Sequence, residues 1–526
     1  MSPNKLAAEP SLFRPNFEGL GWVQNGIWGL EPRWTIEPDA EAVRQQTASS
    51  LELAAADSTI NFLAQGAFNK VYVVAFPETQ KEVIARVSLP VDPKWKTLSE
   101  VATLRWVRDN TSLPVPEVLS YQADRANAIG FEWIVMSKMP GTQLHDRWRD
   151  VSFPAKEAIA RQLAAFCAET FNHQFGGIGN LYSEDIGPVP ASNSMGSIPA
   201  KDQGPFCVRR IVSGEFMWNT QLDSQVGRGP FRSSREWLLA RLSVSELACR
   251  EQLSRFKKST PETKGPGNDG DDSIDGQPGR SEGESKTTEG DGGKNEDEDE
   301  DEDGDQDGDN DGDGDGDGDE AEDGDEDDDE DESVDEAELE DLEGTLDIVT
   351  RLREQLDNFF PAPDPSSDQE PERTMIMHDD LSSRNILVDD AGNLTAVVDW
   401  ECIPAVPLWF ACEIPPLLQG KPSDTEPVMA GYRHDEEGNV DELFWEHLED
   451  YELAQLRIVF LAEMEKLQPE WMAIYKANQR QRDFDMALSC SSEIFMIESI
   501  QGWLDDVEKG EPGFEGLEER IDNASL

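Results

Sequence analysis

The chain has 526 residues, 37% of them hydrophobic, and a formal net charge of -65 at pH 7. This length allows a globular body with a sizeable core. The acidity argues against a nucleic-acid partner, because phosphate binding needs a basic surface, and no apolar run reaches the roughly 18 residues of a membrane span.

The six cysteines are scattered without paired spacing, which favours reduced thiols over a disulfide framework or a zinc site. The first twenty residues lack the apolar run of a signal peptide and the basic character of a transit peptide. We therefore expect a cytoplasmic protein with no membrane partner.

The N-terminal part of the chain alternates between turn-rich and strand-like segments. Residues 1–57 hold three tryptophans and a polar helix candidate, and we interpret them as an N-terminal extension. Strand-like runs follow at 58–64, 70–76 and 82–87, separated by a glycine and a proline turn. This pattern predicts an antiparallel meander.

A helix candidate at 98–108 and an apolar strand candidate at 131–137 complete a first lobe over residues 58–140. Pro140-Gly141 then breaks the chain, which is typical of a hinge. Beyond it, helical periodicity dominates 141–259 and 346–526, and we assign both segments to a second lobe.

An acidic tract, residues 260–345, separates the two helical segments. It contains 42 Asp and Glu residues against 4 Lys and Arg, so it cannot bury enough apolar surface to fold and is predicted to be disordered. A calcium-loop pattern occurs there by chance in an Asp-Gly repeat without flanking apolar helices. We expect a solvated spacer that contacts basic proteins weakly.

The most informative stretch places two short apolar strands around a turn at residues 389–393. Asn385 enters the first strand and Asp399 leaves the second, so an antiparallel hairpin brings them side by side. Together they offer hard oxygen ligands for Mg2+. Asp380, five residues before Asn385, is placed to orient a hydroxyl for attack on phosphorus.

A cation for the phosphates is predicted on the third strand of the meander. Alternation puts Arg86 on one face of an apolar strand, where a lone charge needs a partner or a ligand. Glu100, early in the next helix, is the expected partner. The turn from Gly66 to Asn69 would let backbone N–H groups approach the phosphates.

Several motifs resemble those of the aminoglycoside phosphotransferase and choline-kinase-like family, with the fungal-type branch nearest. They are the spacing of His378, Asp380, Asn385 and Asp399, the run from Met136 to Leu144, the residues Gly66, Phe68 and Asn69, the run from Leu113 to Pro116, and Asp399-Trp400-Glu401. The recognisable motifs cover residues 58–145 and 373–420.

The resemblance implies an α+β, protein-kinase-like fold of two lobes, with a sheet and helix in the first and mainly helices in the second. It implies an ATP- and Mg2+-dependent phosphotransferase acting on a hydroxyl of a small molecule. Asp380 would be the base-like catalytic residue, with Arg384 as a further catalytic candidate and His378 as the structural support of the same loop. Asn385 and Asp399 would be the Mg2+ ligands.

The same resemblance assigns nucleotide contacts to residues of the first lobe and the hinge: Gly66, Phe68, Asn69, Arg86, Glu100, Ser137 and Met139. Trp400 and Glu401 are assigned to the acceptor site, with simple packing as the alternative. Two departures stand out, since Arg86 replaces the family's usual lysine and the nucleotide loop has one glycine. Arginine forks onto phosphates but is not equivalent to lysine.

Two alternative functions remain open from the sequence. One is a pseudokinase or binding module that recruits basic partners through the acidic tract. The other is a protein kinase, which the lack of Arg before Asp380 and of Asp-Phe-Gly at Asp399 disfavours. The acceptor itself is not specified by sequence, although an acidic surface favours a neutral or cationic one.

Overall fold

The computed structural model describes residues 17–24, 30–184, 198–199, 204–218, 226–259, 328–362, 370–435, 438–510 and 513–524. Met1–Arg255 and Glu338–Leu526 form one compact unit, and Phe256–Ala337 form a second. The calcium-loop pattern and most of the acidic tract lie outside the described residues.

The N-terminal extension is a hairpin followed by a helix. Its elements are β1 (Leu20–Gln24), β2 (Leu30–Trp34) and α1 (Ala40–Ser50). Asp39 caps α1 by accepting a hydrogen bond from the Glu41 N–H. The extension packs on the first lobe rather than standing apart, because Trp34, Val43 and Ala48 belong to the core beneath the sheet.

A five-stranded antiparallel sheet builds the first lobe, as the meander predicted. Its strands are β3 (Thr59–Gln65), β4 (Asn69–Phe76), β5 (Lys81–Ser88), β6 (Val118–Gln122) and β7 (Glu132–Ser137), in the order β3-β4-β5-β7-β6. Strand β6 was not predicted from the sequence. Helix α2 (Trp95–Asn110) lies between β5 and β6 in the chain.

The two faces of this sheet are covered by different elements. Val83, Ala85 and Val87 of β5 face the core shared with α1. The alternate residue Ile84 packs with Val101 of α2. Period-2 alternation therefore places the neighbouring Arg86 on the α2 face of the sheet.

The hinge connects the first lobe to a small sheet of the second. Strand β8 (Thr142–Gln143) pairs with β14 (Ile386–Val388), which forms the predicted hairpin with β15 (Leu394–Val397). Gly141 has φ +111° and a Cβ there would lie 2.6 Å from the Val388 carbonyl oxygen, so the hinge requires glycine at this position.

Helices make up most of the described second lobe. They are α3 (Leu144–Arg147), α4 (Phe153–Asn172), α5 (Gly214–Trp218), α6 (Ser234–Ser259), α7 (Asp328–Phe359), α8 (Leu408–Ala411), α9 (Glu442–Leu467), α10 (Pro469–Ala477), α11 (Gln479–Ser489), α12 (Ile497–Lys509) and α13 (Leu517–Ala524). Among the helices of the described ranges, none is long and apolar enough to cross a membrane.

A second sheet, not predicted from the sequence, runs through this lobe in the order β11-β12-β10-β16-β13-β9. Its strands are β9 (Phe175–Gly176), β10 (Gly179–Ser183), β11 (Ile198–Pro199), β12 (Phe206–Val208), β13 (Arg373–Ile376) and β16 (Pro404–Pro407). The alternation in these strands is too short to stand out from the surrounding apolar sequence.

Helix α7 begins inside the acidic tract. It starts at Asp328, whereas the sequence predicts disorder over residues 260–345. The end of α7 explains the extension, because Ile348, Val349 and Leu352 are fully buried in the core and fix a helix that then continues toward its N-terminus.

Candidate active site

Arg86 on β5 and Glu100 on α2 form a buried ion pair. Their side chains are 8% and 1% exposed, and the guanidinium contacts the Glu100 carboxylate directly. The Arg86 guanidinium also lies 3.3 Å from Asp399 Oδ1 and 3.6 Å from Glu401 Oε2. One cation of the first lobe therefore faces three carboxylates, two of which come from the second lobe.

The start of α2 is fixed by a carboxylate from β7. Glu132 accepts hydrogen bonds from the Lys94 backbone N–H at 2.6 Å and from the Thr97 hydroxyl at 2.6 Å. It thereby satisfies a donor that the first turn of a helix leaves unpaired. This anchoring sets the position of the side chains that α2 directs toward the sheet.

The loop before β14 holds Asp380 and Asn385 together. The Asn385 side-chain amide donates to the Asp380 backbone carbonyl and to Asp380 Oδ2, both at 2.8 Å. The Val398 N–H donates to the Asn385 carbonyl oxygen at 2.9 Å, which extends the hairpin pairing up to the residue before Asp399. The hairpin thus brings Asp380, Asn385 and Asp399 to one end, as the sequence predicted.

His378 and Trp400 lie in the core beneath that loop. The rings are 4.8 Å apart, and His378 Nε2 donates to the Val398 carbonyl oxygen at 3.3 Å. Burial lowers the pKa of His378 to about 4. Among the described residues its Nδ1 has no hydrogen-bond partner, so a second proton there would be buried without an acceptor.

Trp400 does not line a substrate site. It is 1% exposed, its indole N–H donates to the Val397 carbonyl at 3.0 Å, and it packs against Phe166 of α4. The assignment of Trp400 to the acceptor site is corrected here to core packing. The reason is its contacts, since the indole is held between the Val397 carbonyl and the rings of Phe166 and His378.

The segment after β15 contains two residues in the left-handed region. Asp399 has φ +65° and Cys402 has φ +59°, and neither is glycine. Such residues cost free energy and persist where their surroundings hold them in place. Between them, Trp400 is anchored in the core and Glu401 is held by the first lobe.

Glu401 is directed toward the first lobe. Its carboxylate contacts Lys96 of α2, a lysine only 2% exposed, and accepts from the Asn69 side-chain amide at 2.7 Å. Lys96 also donates to Asn69 Oδ1 at 3.1 Å. Burial opposes ionisation of Glu401, but Lys96 and Arg86 outweigh it and lower its pKa to about 2. Its proposed contact with an acceptor therefore gives way to an ionic contact with α2.

Asp399 keeps 42% of its side chain exposed, although protein atoms crowd the rest of it. This crowding raises its pKa to about 6, and the neighbouring Glu401 charge adds to the increase while Arg86 opposes it. Asp399 is thus a carboxylate poised to gain from a further cation.

The turn between β3 and β4 is less open than its sequence suggested. Gly66 is exposed, and a Cβ built there would meet open space, so a ligand has room beside this turn, while the Gly66 N–H itself donates to the Asn69 carbonyl oxygen at 3.0 Å. Phe68 is 8% exposed and packs with Leu20 and Val91 in an apolar cluster. The Phe68 side chain therefore holds the turn down and does not line a nucleotide site, which corrects its assignment.

The remaining predicted residues lie on the hinge and the catalytic loop. Ser137 ends β7, and its hydroxyl accepts from the Glu117 N–H at 2.8 Å. Met139 is half-buried two residues later. Arg384 is exposed between Asp380 and Asn385. Their roles stay predictions.

Asn385 and Asp399 carry the side-chain oxygens that could hold a Mg2+ ion. The Asn385 side-chain nitrogen is engaged by Asp380, and its amide oxygen accepts no hydrogen bond from the described residues, so it is free to act as a ligand. Among all the residues that the structure describes, no group of three or more His, Cys, Asp or Glu side chains is arranged to hold a metal ion. Mg2+ in phosphoryl-transfer sites commonly uses one or two protein ligands together with water and phosphates.

The model of a known protein family matches the amino-acid sequence over more than half of the chain. The family is described as "Phosphotransferase enzyme family" (APH), and the match covers residues 59–257 and 305–412. The chain belongs to this family. The matched residues include the β5 strand with Arg86, helix α2 and the hairpin with Asp380, Asn385 and Asp399.

Relatives of this family member include fungal proteins. A subtelomeric hrmA-associated cluster protein of Aspergillus fumigatus is 32% identical over 175 residues, which are 33% of this chain and 33% of the relative. The mitochondrial "altered inheritance of mitochondria protein 9" of Debaryomyces hansenii is 25% identical over 148 residues, covering 26% of this chain and 23% of that protein. The chain thus matches a third or less of the length of these curated relatives.

Solved structures similar to this family member include the GDP and kanamycin complex of an aminoglycoside phosphotransferase. Identity is 12% and the TM-score 0.34, with 88% of this chain and 93% of that chain covered. A Plasmodium vivax ethanolamine kinase has 9% identity and a TM-score of 0.34, covering 89% of this chain and 80% of that one. The two-lobed kinase-like fold of this chain follows from its sheets, its helices and its family.

Lys96 is the main site residue that sequence reasoning missed. It precedes Glu100 by four residues, so the two share a face of α2. Because Glu100 was already predicted to pair with Arg86, a lysine on the same face of the helix could have been predicted to lie near the site. Nothing in the sequence indicated that Lys96 pairs with Glu401, because the contact joins segments more than three hundred residues apart.

Proposed function

We propose that this chain is an ATP- and Mg2+-dependent phosphotransferase that moves the γ-phosphate of ATP to a hydroxyl group of a small molecule. The observation that carries the proposal is the meeting of Asp380, Asn385 and Asp399 at one end of the β14–β15 hairpin, opposite Arg86. A carboxylate for the nucleophile, oxygen ligands for a metal and a cation for phosphates are the parts that phosphoryl transfer uses.

In this mechanism Asp380 accepts a hydrogen bond from the acceptor hydroxyl and orients its oxygen toward the γ-phosphorus. The Asn385 amide fixes the Asp380 carboxylate in place, because it donates to both the side chain and the backbone of Asp380. Orientation of this kind supplies much of the rate enhancement where little covalent chemistry is asked of the protein.

Asn385 and Asp399 would hold Mg2+, which when bound neutralises charge on the phosphate oxygens. Arg86 binds the phosphates from the first lobe, and Glu100 fixes the direction of its guanidinium. The open backbone at Gly66 gives the phosphates room to approach the β3–β4 turn. The hinge at Ser137 and Met139 is the expected contact for the adenine base.

The acceptor is proposed to be neutral or cationic. Outside residues 260–345 the chain carries 68 Asp and Glu residues against 41 Lys and Arg, and this acidity attracts cations at long range. The proposed setting of the reaction is the cytoplasm, where cysteines such as these six, none of them paired in the structure, are kept reduced.

Two single substitutions test the assignment. Asp380→Ala is expected to lower phosphate transfer at least about 100-fold, the usual contribution of a positioned acid–base group, while Mg-ATP affinity stays nearly constant. Asp399→Ala should instead weaken Mg-ATP binding in calorimetric titration. Asp390→Ala is the matched control, since this carboxylate lies in the same hairpin but is fully exposed.

Transfer is measured by mass spectrometry of metabolite extracts incubated with the protein and ATP. New phosphorylated species should form with the chain and with Asp390→Ala, and disappear with Asp380→Ala. Equal transfer by the unmodified chain, by Asp380→Ala and by Asp399→Ala would refute the assignment.

A second function, a nucleotide-binding module without transfer, is favoured by one observation. Arg86 already contacts three carboxylates, so phosphates must compete with Glu100, Asp399 and Glu401 for it. In this case Mg-ATP would raise the melting temperature, yet no phosphate would appear on any acceptor. Recruitment of basic proteins by the acidic tract belongs to this alternative.

A further inference from the structure

Lys96 is a buried cation that the proposed reaction leaves without a role. Its side chain is 2% exposed and its ammonium is enclosed by Glu401 and Asn69, with the Phe68 ring 5.8 Å away. A lysine buried this deeply is costly unless its partners compensate for the lost hydration. Direct contact with a nucleotide phosphate would require Glu401 to leave, so the enclosed geometry favours an indirect role.

The partner Glu401 holds a backbone segment that carries strain. Asp399 and Cys402 both have positive φ, and no glycine relieves either position. Trp400 anchors the middle of the segment in the second lobe. Glu401 anchors its end to the first lobe, through Lys96 and the Asn69 amide. Adjacent residues of the strained segment are thus fixed to different lobes, Trp400 to the second and Glu401 to the first.

We propose that Lys96 is a positioning residue, which acts through Glu401 to hold Asp399 in the orientation that binds Mg2+. This inference rests on the proposed function, since it takes Asp399 as a metal ligand. It adds a coupling between the lobes. Lys96 lies on α2 and Asn69 on the nucleotide turn, so the metal ligand is in place only when both elements of the first lobe contact Glu401.

The presence of Lys96 is also related to Arg86, which stands where the resembled family usually has a lysine. The Arg86 guanidinium is shared among Glu100, Asp399 and Glu401, and its closest partner is Glu100. A second cation is then needed to compensate for Glu401, which would otherwise compete with phosphates for Arg86. Lys96 supplies that positive charge, from a position on α2 about one turn before Glu100.

The test compares Lys96→Met with Lys70→Met in the full chain. Lys70 is a matched control, because its side chain is also buried, at 6% exposure, and paired with a carboxylate. Its partner is Glu37 of the N-terminal extension, away from the metal ligands. ATP is titrated calorimetrically at a series of Mg2+ concentrations and again in EDTA.

We expect Lys96→Met to raise the Mg2+ concentration needed for half-maximal ATP binding by about 10-fold or more, as observed when the groups that orient metal ligands are removed. ATP affinity in EDTA should change by less than about twofold. Lys96→Arg should restore most of the Mg2+ response, because it returns the charge to Glu401. Lys70→Met should leave the Mg2+ response as it is in the unmodified chain.

Glu401→Gln is the second variant, for the case in which Lys96→Met does not fold, because a glutamine can still accept a hydrogen bond from Lys96; it should shift the Mg2+ response in the same direction. If Lys96→Met responds to Mg2+ as the unmodified chain does, the positioning role alone is overturned. If Lys96→Met does not fold, the same outcome in Glu401→Gln overturns it. ATP binding to the unmodified chain that ignores Mg2+ altogether would overturn the proposed function, and the inference with it.

Discussion

Replacing Arg86 by methionine removes the charge that compensates Glu100 in the interior of the first lobe. Glu100 is 1% exposed, so its carboxylate cannot regain water when the guanidinium is lost. At about 4 Å and an effective dielectric constant of about 20, one ion pair contributes about 4 kcal/mol before desolvation is counted. Removing one partner of a buried pair costs about 3–5 kcal/mol, and we expect a loss in that range.

Urea denaturation followed by tryptophan fluorescence measures this loss. With a slope of about 3 kcal/mol/M, the midpoint of Arg86→Met should fall by about 1–2 M. The double variant Arg86→Met with Glu100→Leu should recover most of the stability, because replacing both members of a buried pair by apolar residues is often neutral. It should not recover Mg-ATP binding, which needs the cation itself.

An exposed ion pair serves as the control. Lys138 and Glu82 are 2.6 Å apart with 41% and 51% of their side chains exposed, and Lys138→Met should cost less than about 1 kcal/mol. If Arg86→Met cost no more than Lys138→Met, or if adding Glu100→Leu made the protein still less stable, the pair would not be the buried structural element described above.

Three further predictions concern the core and the hinge. Trp400→Ala should lower the free energy of unfolding by about 3–5 kcal/mol, because it leaves a cavity in the core. A variant with the same melting temperature as the unmodified chain would contradict the core position of Trp400. His378 has a folded pKa of about 4 against 6.5 unfolded, so its stabilising contribution is complete above pH 6.5 and is lost, by about 3 kcal/mol, as the pH falls through 4. His378→Asn should remove this component from the pH dependence of the urea midpoint, and an unchanged pH profile would count against it. Gly141→Ala should lower the melting temperature, because its φ of +111° and the Val388 oxygen leave no room for a Cβ, and unaltered melting would show that the hinge relaxes freely.

Much of the site was predictable because its parts lie on short, regular segments. The alternation of β5 placed Arg86 opposite Val83 and Ala85, and the structure has it on the α2 face beside Glu100. The two apolar runs around residues 389–393 predicted the hairpin that joins Asn385 to the segment of Asp399. In both cases, a period of two residues and one turn fix which side chains share a face.

The directions of Phe68, Trp400 and Glu401 were not predictable in the same way. Each follows or lies within a turn, where alternation no longer relates a side chain to its neighbours. Phe68 packs against Leu20 of the N-terminal extension, and Glu401, two residues after the left-handed backbone at Asp399, contacts Lys96.

The sequence by itself indicated the family and the two-lobed fold, and it singled out the residues that we propose for phosphoryl transfer, because strand alternation and motif spacing are local properties of the chain. Only the tertiary structure decided which of these side chains meet beside Arg86, which lie in the core, and that Lys96 meets Glu401 across the lobes. Contacts between distant segments depend on the packing of whole elements, and no short stretch of sequence encodes that packing.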